Sequence, residues 1–261
     1  GIELKGIDAL RAKRPETLPA VLSREQMWSV LEALTELTDP AKLVQTMLGY
    51  GCGMRVSESI TLRIKDCLFD RRQITIRDAK GRVDRVVPLP DVLAPLLKAQ
   101  IEAARTWHTL DLREGCARVP LPGAFHVKSS KAESDWGWFW VFPSHVRSEC
   151  PKTKRIGRFH IDESGINRTL NAIGRKLGIP ERLHFHTLRH SFATHMLDDG
   201  VNIRQVQKLL AHKSLETTMR YTHVALTGPA SERSPLDSLQ RLRPRMDLEQ
   251  RPAIKRLNLV G

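Results

Sequence analysis

Apolar residues recur three and four positions apart over most of this chain, which is the spacing of amphipathic helices. The first such segment follows Ser23, and Gln26 three residues later completes a capping-box pattern. The second begins near Pro40, because proline is tolerated in the first helical turn, and it should end at Gly51 or Gly53. A pair of helices is therefore predicted to open the fold.

Further helical segments are predicted along the chain. A short helix should follow Arg55, and a long one should cover residues 91–107. Four short helices are predicted within residues 165–223, and they are separated by Gly178, Gly200 and Ser214. The second of these four carries an apolar stripe formed by Leu188, Phe192, Ala193, Met196 and Leu197.

Strand patterns are rarer. Alternation of apolar and polar residues over 72–90 predicts a β-hairpin that turns at 79–81. Trp136, Trp138 and Trp140 also alternate, and in a strand they would lie on one face. No internal repeat is apparent. The predicted fold class is mainly α (α+β), a helical bundle with one small antiparallel sheet.

The charge balance indicates what kind of partner the protein binds. Among 261 residues, 42 are lysine or arginine and 29 are acidic, giving a formal net charge of +13. Such an excess favours a nucleic acid as partner, ahead of an anionic membrane surface. No apolar run long enough for a membrane helix and no signal-like N-terminus is visible, so we expect a soluble protein of the bacterial cytoplasm. The four cysteines are scattered, which predicts reduced, structural thiols.

The stretch HFHTLRHSFATH, residues 184–195, contains four histidines and one arginine. A metal site needs ligands that converge on one point; on a helix, His186 and His190 would share a face while His195 points away. A guanidinium beside a metal cation is unfavourable, whereas its planar fork of donors suits an oxyanion. The stretch therefore favours a phosphate site over a metal site.

Residues elsewhere complete a set suited to cleaving a phosphodiester. Arg55 and Arg189 would grip the non-bridging oxygens and stabilise the charge that builds in the transition state. Tyr221 would attack phosphorus, and a histidine would help it lose its proton, since the pKa of a free tyrosine is about 10. Lys80 would protonate the departing oxygen. This chemistry needs no metal and no other cofactor.

Three motifs resemble those of the tyrosine recombinase family: GCGMRVSESITLRIKD, AKGRVDRVVPLP and HFHTLRHSFATHMLDDGVNIRQVQKLLAHKSLETTMRYTHV. The resemblance implies a DNA strand-breaking and rejoining enzyme that forms a 3′-phosphotyrosyl intermediate. It implies six catalytic residues, namely Arg55, Lys80, His186, Arg189, His212 and Tyr221. It also implies that Glu58 orients the site from behind. His190 is interpreted as a structural helix residue or as a support of the same kind as Glu58.

A closer similarity is to the integron integrases. There an insertion, here at about 118–155, ends in a signature like DWGWFWVFPS at 135–144. In that branch the insertion helps to hold unpaired bases of a folded single-stranded recombination site, and aromatic rings suit base stacking. The similarity implies gene-cassette integration and excision, with DNA contacts from Trp136, Trp138, Trp140, His126 and Lys128. Core packing of the tryptophans is the alternative.

The resemblance also divides the chain. Residues 1–20 are interpreted as the remnant of a linker from a missing N-terminal DNA-clamping domain, 21–225 as the catalytic domain and 226–261 as a tail. In the family such a tail packs on a neighbouring subunit, linking four protomers around two DNA duplexes. Without DNA we expect a monomer, or a tail that folds back. The apolar edge of the tail would be formed by Leu236, Leu239 and Leu242.

Three positions depart from the family pattern. Ala211 stands where glycine is usual, Met54 where leucine is common, and Val83 where integron relatives often have a basic residue. Because none of these removes a catalytic group, we expect activity to be impaired at worst. Three alternatives remain at this point: a non-catalytic DNA-binding remnant of the same fold, a type IB topoisomerase-like enzyme, and a metal-dependent hydrolase that uses the histidines.

Overall fold

The structure, a computed structural model, describes residues 19–77, 84–122, 130–151, 153–212, 214–222 and 234–242. Its helices are α1 Arg24–Thr35, α2 Pro40–Cys52, α3 Val56–Ile60, α4 Leu93–Arg113, α5 Glu163–Lys176, α6 Phe185–Asp198, α7 Ile203–Leu210, α8 Leu215–Met219 and α9 Pro235–Leu242. Its strands are β1 Cys67–Leu68, β2 Gln73–Ile76, β3 Arg85–Pro88, β4 Pro143–Glu149 and β5 Ile156–His160. The mainly helical α+β fold is thus confirmed. Within the described ranges, none of the helices has the length and apolar character that crossing a membrane requires.

The first two helices begin where their caps predict. The Ser23 side chain accepts a hydrogen bond from the backbone of Gln26, and the Gln26 side chain accepts one from the backbone of Ser23. Helix α2 starts at Pro40 and ends before Gly53, whose backbone is left-handed with φ 61°. Helix α2 is buried along most of its length and packs against α1, α4 and α6. It is the central helix, and its C-terminal end leads directly into the candidate site.

The predicted hairpin is confirmed for its two strands. Strands β2 and β3 pair antiparallel, with Ile74 opposite Val87 and Ile76 opposite Arg85. A third short strand, β1, adds to β2 and extends the sheet. The tip, residues 78–83, with Lys80 and Val83, lies outside the described residues.

The region between α4 and α5 differs from prediction in two ways. A second antiparallel sheet, formed by β4 and β5, was not predicted, because the sequence PSHVRSE of β4 is too polar for a strand signal. The strand predicted through the three tryptophans is wrong: Trp136–Trp138 is a turn of 3₁₀ helix. The reason is Asp135, whose carboxylate accepts a hydrogen bond from the Gly137 N–H at 2.8 Å and folds the backbone into a turn.

The tryptophans join this region to the core. The Trp140 side chain is buried, its indole N–H donates to the Arg158 carbonyl, and the Arg63 guanidinium lies 3.3 Å from the ring centroid. Trp138 is half-buried beneath the Lys65 ammonium, which lies 2.8 Å from its ring centroid. Trp136 lies against the Arg105 guanidinium, 4.4 Å from its ring centroid, so all three rings lie against basic side chains, and the predicted common face does not exist.

The described part of the tail folds back onto its own chain. Helix α9 packs against α2 and α6, with Leu236 and Leu239 buried. The Ser234 hydroxyl donates to the Gly51 carbonyl at 2.8 Å and accepts from the Leu236 N–H. The side chain of Leu242 lies outside the described residues. Two of the three leucines predicted to form an apolar edge for a neighbouring subunit are thus covered within one chain.

We expect Ala211→Gly to raise the free energy of unfolding by about 0.5–1 kcal/mol. Ala211 ends α7 with left-handed φ 48° and ψ 49°, a conformation that costs an L-residue roughly 1–2 kcal/mol; the greater entropy of glycine in the unfolded chain offsets roughly 0.4–1 kcal/mol. Denaturant unfolding measures the difference. Gly178→Ala is the reciprocal control, since Gly178 has φ 66° and open space around it. This variant should lower the free energy of unfolding by a similar amount. An unchanged denaturant midpoint for Ala211→Gly would show that the left-handed backbone of Ala211 is not strained.

Candidate active site

The N-terminal half of α6 places one arginine in the interior. His184 caps the helix by accepting a hydrogen bond from the Thr187 N–H. One turn further, the Arg189 side chain is 1% exposed and donates to the Gly53 carbonyl at 2.6 Å and to the Leu210 carbonyl at 2.5 Å. These two bonds tie the end of α2 and the end of α7 to α6. Further N–H donors of the guanidinium stay available for an anion.

A second arginine stands at the turn between α2 and α3. The Glu58 carboxylate accepts from the Arg55 backbone N–H and from its guanidinium, both at 2.7 Å, and so caps α3. Gly53 makes this close turn possible, because a Cβ there would lie 2.7 Å from the Phe192 ring. Arg55 is half-exposed and Arg189 is buried, so the two guanidinium groups lie at the surface and at the floor of one site.

Glu58 has another partner that the sequence did not indicate. Arg85, on β3, meets it with a two-pronged salt bridge at 2.8 and 2.7 Å. The available signal was the strand alternation, which puts Arg85 on the same inward face as Val87. A charged residue at an inward position needs an ionic partner, but the identity of that partner depends on the tertiary fold.

The candidate nucleophile lies beside a histidine. Tyr221 is 4% exposed, and its hydroxyl lies 2.7 Å from Nδ1 of His190. The His212 ring is nearly parallel to the tyrosine ring at a centroid distance of 6.2 Å, and its Nδ1 lies 2.9 Å from the Thr218 hydroxyl. His186 contacts the edge of His190, with centroids 4.3 Å apart. His190 is therefore the histidine whose ring nitrogen contacts the tyrosine hydroxyl. The sequence predicted only a structural or a supporting role for it.

The electrostatics of the site keep its histidines neutral. Partial burial, and then the neighbouring cations, lower the pKa of His190 and of His212 to about 3. Burial raises the pKa of Tyr221, although Arg189 acts in the opposite direction. Burial also opposes ionisation of Glu58, yet its arginine partners outweigh this and lower its pKa to about 2. At neutral pH the site thus holds a carboxylate among arginines, neutral histidines and a protonated tyrosine.

Other histidines and the cysteines lie elsewhere. Nδ1 of His195 lies 2.9 Å from the Tyr50 hydroxyl in the interior, away from His190, as its spacing predicts. Among the residues that the structure describes, no cluster of three or more histidine, cysteine or acidic side chains has the arrangement of a metal site. The four cysteines are free thiols.

A search against protein-family models matches residues 20–227 to the phage integrase family. The chain belongs to that family. It is a tyrosine recombinase catalytic domain, and such enzymes break and rejoin DNA strands. An integrase/recombinase of Escherichia coli is 42% identical over 229 residues, which cover 88% of this chain and 67% of the relative. The tyrosine recombinase XerA of Thermococcus onnurineus is 32% identical over 214 residues, covering 82% of this chain and 61% of that protein.

Solved structures of recombinases share the fold. The crystal structure of XerA recombinase superposes with a TM-score of 0.54 at 25% identity, covering 88% of this chain and 68% of that one. A pre-cleavage complex of the XerH site-specific recombinase with its difH substrate superposes with a TM-score of 0.54 at 24% identity. The match covers 79% of this chain and 51% of that one. At that identity the second likeness concerns the fold alone.

The residues proposed for the site fall into three groups. The structure brings together Arg55, Glu58, His186, Arg189, His190, His212 and Tyr221, and it adds Arg85. Lys80, His126 and Lys128 lie outside the described residues. Trp136, Trp138 and Trp140 lie in the region between α4 and α5 and pack with Phe139 and Ala104. Met54, one of the departures from the family pattern, is buried in the core.

Proposed function

We propose that this domain cleaves DNA by attack of Tyr221 on a phosphodiester and then passes the strand to a new partner. The observation that carries the proposal is the 2.7 Å contact between the Tyr221 hydroxyl and a neutral His190, beside Arg55 and Arg189. A hydroxyl with a high pKa needs an adjacent acceptor, and a phosphate needs fixed cations. Both requirements are met within one site.

The step proceeds as follows. The Tyr221 oxygen forms a bond to phosphorus while the bond from phosphorus to the 5′ oxygen breaks, leaving a 3′-phosphotyrosyl link. The tyrosine proton passes to Nδ1 of His190, and Lys80 donates a proton to the 5′ oxygen. Arg55 and Arg189 hold the non-bridging oxygens, with His186 and His212 donating further hydrogen bonds. Attack by the 5′ hydroxyl of another strand reverses the chemistry and completes the transfer.

Incoming DNA also activates the base. In the free protein burial, and then neighbouring basic groups that include Arg189, keep the pKa of His190 low, so this histidine only accepts a hydrogen bond. A bound phosphate brings a negative charge next to Arg189, and this offsets the repulsion between Arg189 and a protonated His190 imidazole. Proton transfer from Tyr221 is thereby coupled to substrate binding.

We further propose that the biological reaction is integration and excision of gene cassettes by an integron-type integrase. The support is the insertion between α4 and α5, which contains a sheet of its own and stacks two of its tryptophans on Arg63 and Lys65. In this proposal residues 21–225 are the catalytic domain, and the tail acts between protomers of a tetramer on DNA. Residues 1–20 then lead from an N-terminal DNA-binding domain, and folded single-stranded sites are substrates.

Covalent trapping tests the chemistry. Purified protein is incubated at low salt with end-labelled duplexes of randomised sequence that carry a nick, so that the short 5′-hydroxyl fragment diffuses away and the adduct accumulates. The chain has two tyrosines, Tyr50 and Tyr221, which provides a matched pair of variants. We expect a denaturation-resistant adduct with the wild type and with Tyr50→Phe, and none with Tyr221→Phe. DNA binding without any adduct would support the non-catalytic alternative.

The same assay separates the finer proposals. A second substrate pool consists of folded single strands with unpaired protruding bases, and an integron-type enzyme should form more adduct on it than on plain duplexes. Relaxation of supercoiled plasmid without joined recombinant products would favour the topoisomerase-like alternative. Loss of the adduct on adding EDTA would favour the metal-dependent one.

A further inference from the structure

Arg85 is a buried cation that joins three elements of the site. It is 9% exposed on the inner face of β3. Its Nη1 and Nη2 donate to the two oxygens of Glu58, and its Nε donates to the Leu209 carbonyl at 2.8 Å. The next carbonyl, that of Leu210, is the one that accepts from Arg189. Two arginines therefore occupy adjacent carbonyls at the negative end of α7, immediately before His212.

The carboxylate of Glu58 is fully occupied. Its Oε1 accepts from the guanidinium groups of Arg55 and Arg85, at 2.7 and 2.8 Å. Its Oε2 accepts from the Arg55 backbone N–H and from Arg85, both at 2.7 Å. An ionised carboxylate offers about four acceptor sites, and here four donors fill them. Arg189 stays 3.9 Å from Oε2, which is beyond hydrogen-bonding distance.

This arrangement has a consequence for the phosphate. If Arg85 were absent, two acceptor sites of Glu58 would be open, with the guanidinium of Arg189 as a cation 3.9 Å away. A charge-assisted bond from Arg189 to Glu58 would then compete with its bonds to a phosphate oxygen. We propose that Arg85 is a positioning residue that saturates Glu58 and so reserves Arg189 for the scissile phosphate. The inference rests on the proposed function of Tyr221.

Single-turnover cleavage of two substrates tests this role. One carries the natural phosphodiester, and the other a methylphosphonate at the scissile position, which lacks the negative charge that Arg189 would hold. We expect Arg85→Met to slow cleavage of the phosphodiester by about 10- to 100-fold, the range typical of residues that orient an active-site group. On the methylphosphonate the ratio of the wild-type cleavage rate to the variant's should fall towards one, because the scissile group carries no negative charge for Arg189 to bind.

A double variant provides the sharpest control. Adding Glu58→Gln to Arg85→Met removes the charge that attracts Arg189, so the double variant should cleave faster than Arg85→Met alone. A purely structural role for Arg85 predicts the opposite, since a second buried bond is lost. Thermal melts establish that each variant is folded. Should Arg85→Met unfold, Arg85→Lys keeps the charge without the fork and should show an intermediate loss with the same dependence on substrate.

The outcomes are separable from those of the parent proposal. If the wild type forms no adduct, the proposed function fails. If it does, and Arg85→Met either cleaves the phosphodiester as fast as the wild type or is slowed equally on both substrates, the role of Arg85 is overturned.

Discussion

Arg189→Lys should slow strand cleavage by about a hundred- to a thousandfold, the usual effect of removing a donor that stabilises transition-state charge. Arg189 is 1% exposed, and two of its nitrogens already donate to the carbonyls of Gly53 and Leu210. Lysine keeps the positive charge, but its donors radiate from one atom and cannot reach both carbonyls and a phosphate together. The substitution therefore removes the arrangement of hydrogen-bond donors that arginine provides and leaves the net charge unaltered.

Arg24→Lys is the matched control for that variant. Arg24 also ties α6 to another part of the chain, by donating to the His195 carbonyl and to Asp199, but at the far end of the helix. Arg24→Lys should lower the free energy of unfolding by an amount comparable to Arg189→Lys. Its cleavage rate should stay within about twofold of the wild-type rate, as expected for a change distant from the site. The measurement is single-turnover adduct formation at saturating DNA. Equal losses of rate in the two variants would assign the effect of Arg189→Lys to general destabilisation.

His190→Gln should reduce cleavage at neutral pH by about a hundredfold, which lies within the range for loss of a general base. The glutamine oxygen can still accept a hydrogen bond from Tyr221, so orientation is kept and only proton transfer is lost. The folded-state pKa of His190 is about 3, so this group is neutral at every pH from mildly acidic to alkaline. The second-order rate constant for cleavage at limiting DNA, which reports the free protein, should therefore show no inflection from His190 above about pH 6.

The variant should have a different pH profile. Without the base, cleavage depends on ionised Tyr221, whose pKa lies above its usual value. Its ionised fraction, and with it the rate, should then rise about tenfold per pH unit through the neutral range. His190→Ala removes the acceptor as well and should be slower than His190→Gln. A His190→Gln enzyme with the wild-type profile would show that another group takes the proton.

Local signals predicted the frame of this site, and long-range contacts explain what they missed. The cap at Ser23, the start of α2 at Pro40 and the left-handed turn at Gly53 involve residues within a few positions of one another, so the sequence carries them directly. The partnership of Arg85 with Glu58 joins β3 to α3 across 27 residues, and no periodicity in the sequence indicates it. The sequence predicted for His190 only a structural role in the helix or a supporting role, because spacing cannot reveal which histidine ring faces the tyrosine.

The tryptophan segment shows a conflict between two local signals. Alternation of Trp136, Trp138 and Trp140 favours a strand, while Asp135 followed by Gly137 favours a turn. The turn is formed because it satisfies a backbone N–H at once and lets basic residues of the core cover all three rings. Aromatic alternation alone is thus a weak signal where an aspartate precedes it.

The packing of Tyr221 bears on how the nucleophile is released. Its ring lies in a small apolar cluster with Phe192, Met196, Val206 and Leu210, separate from the main core around α2. Removing the ring from the site breaks its contacts in that cluster and those with His190 and His212, so the free energy of the displacement is set by a few side chains. We therefore expect the segment that carries the nucleophile to open at a lower cost in free energy than the central helix and the arginines attached to it.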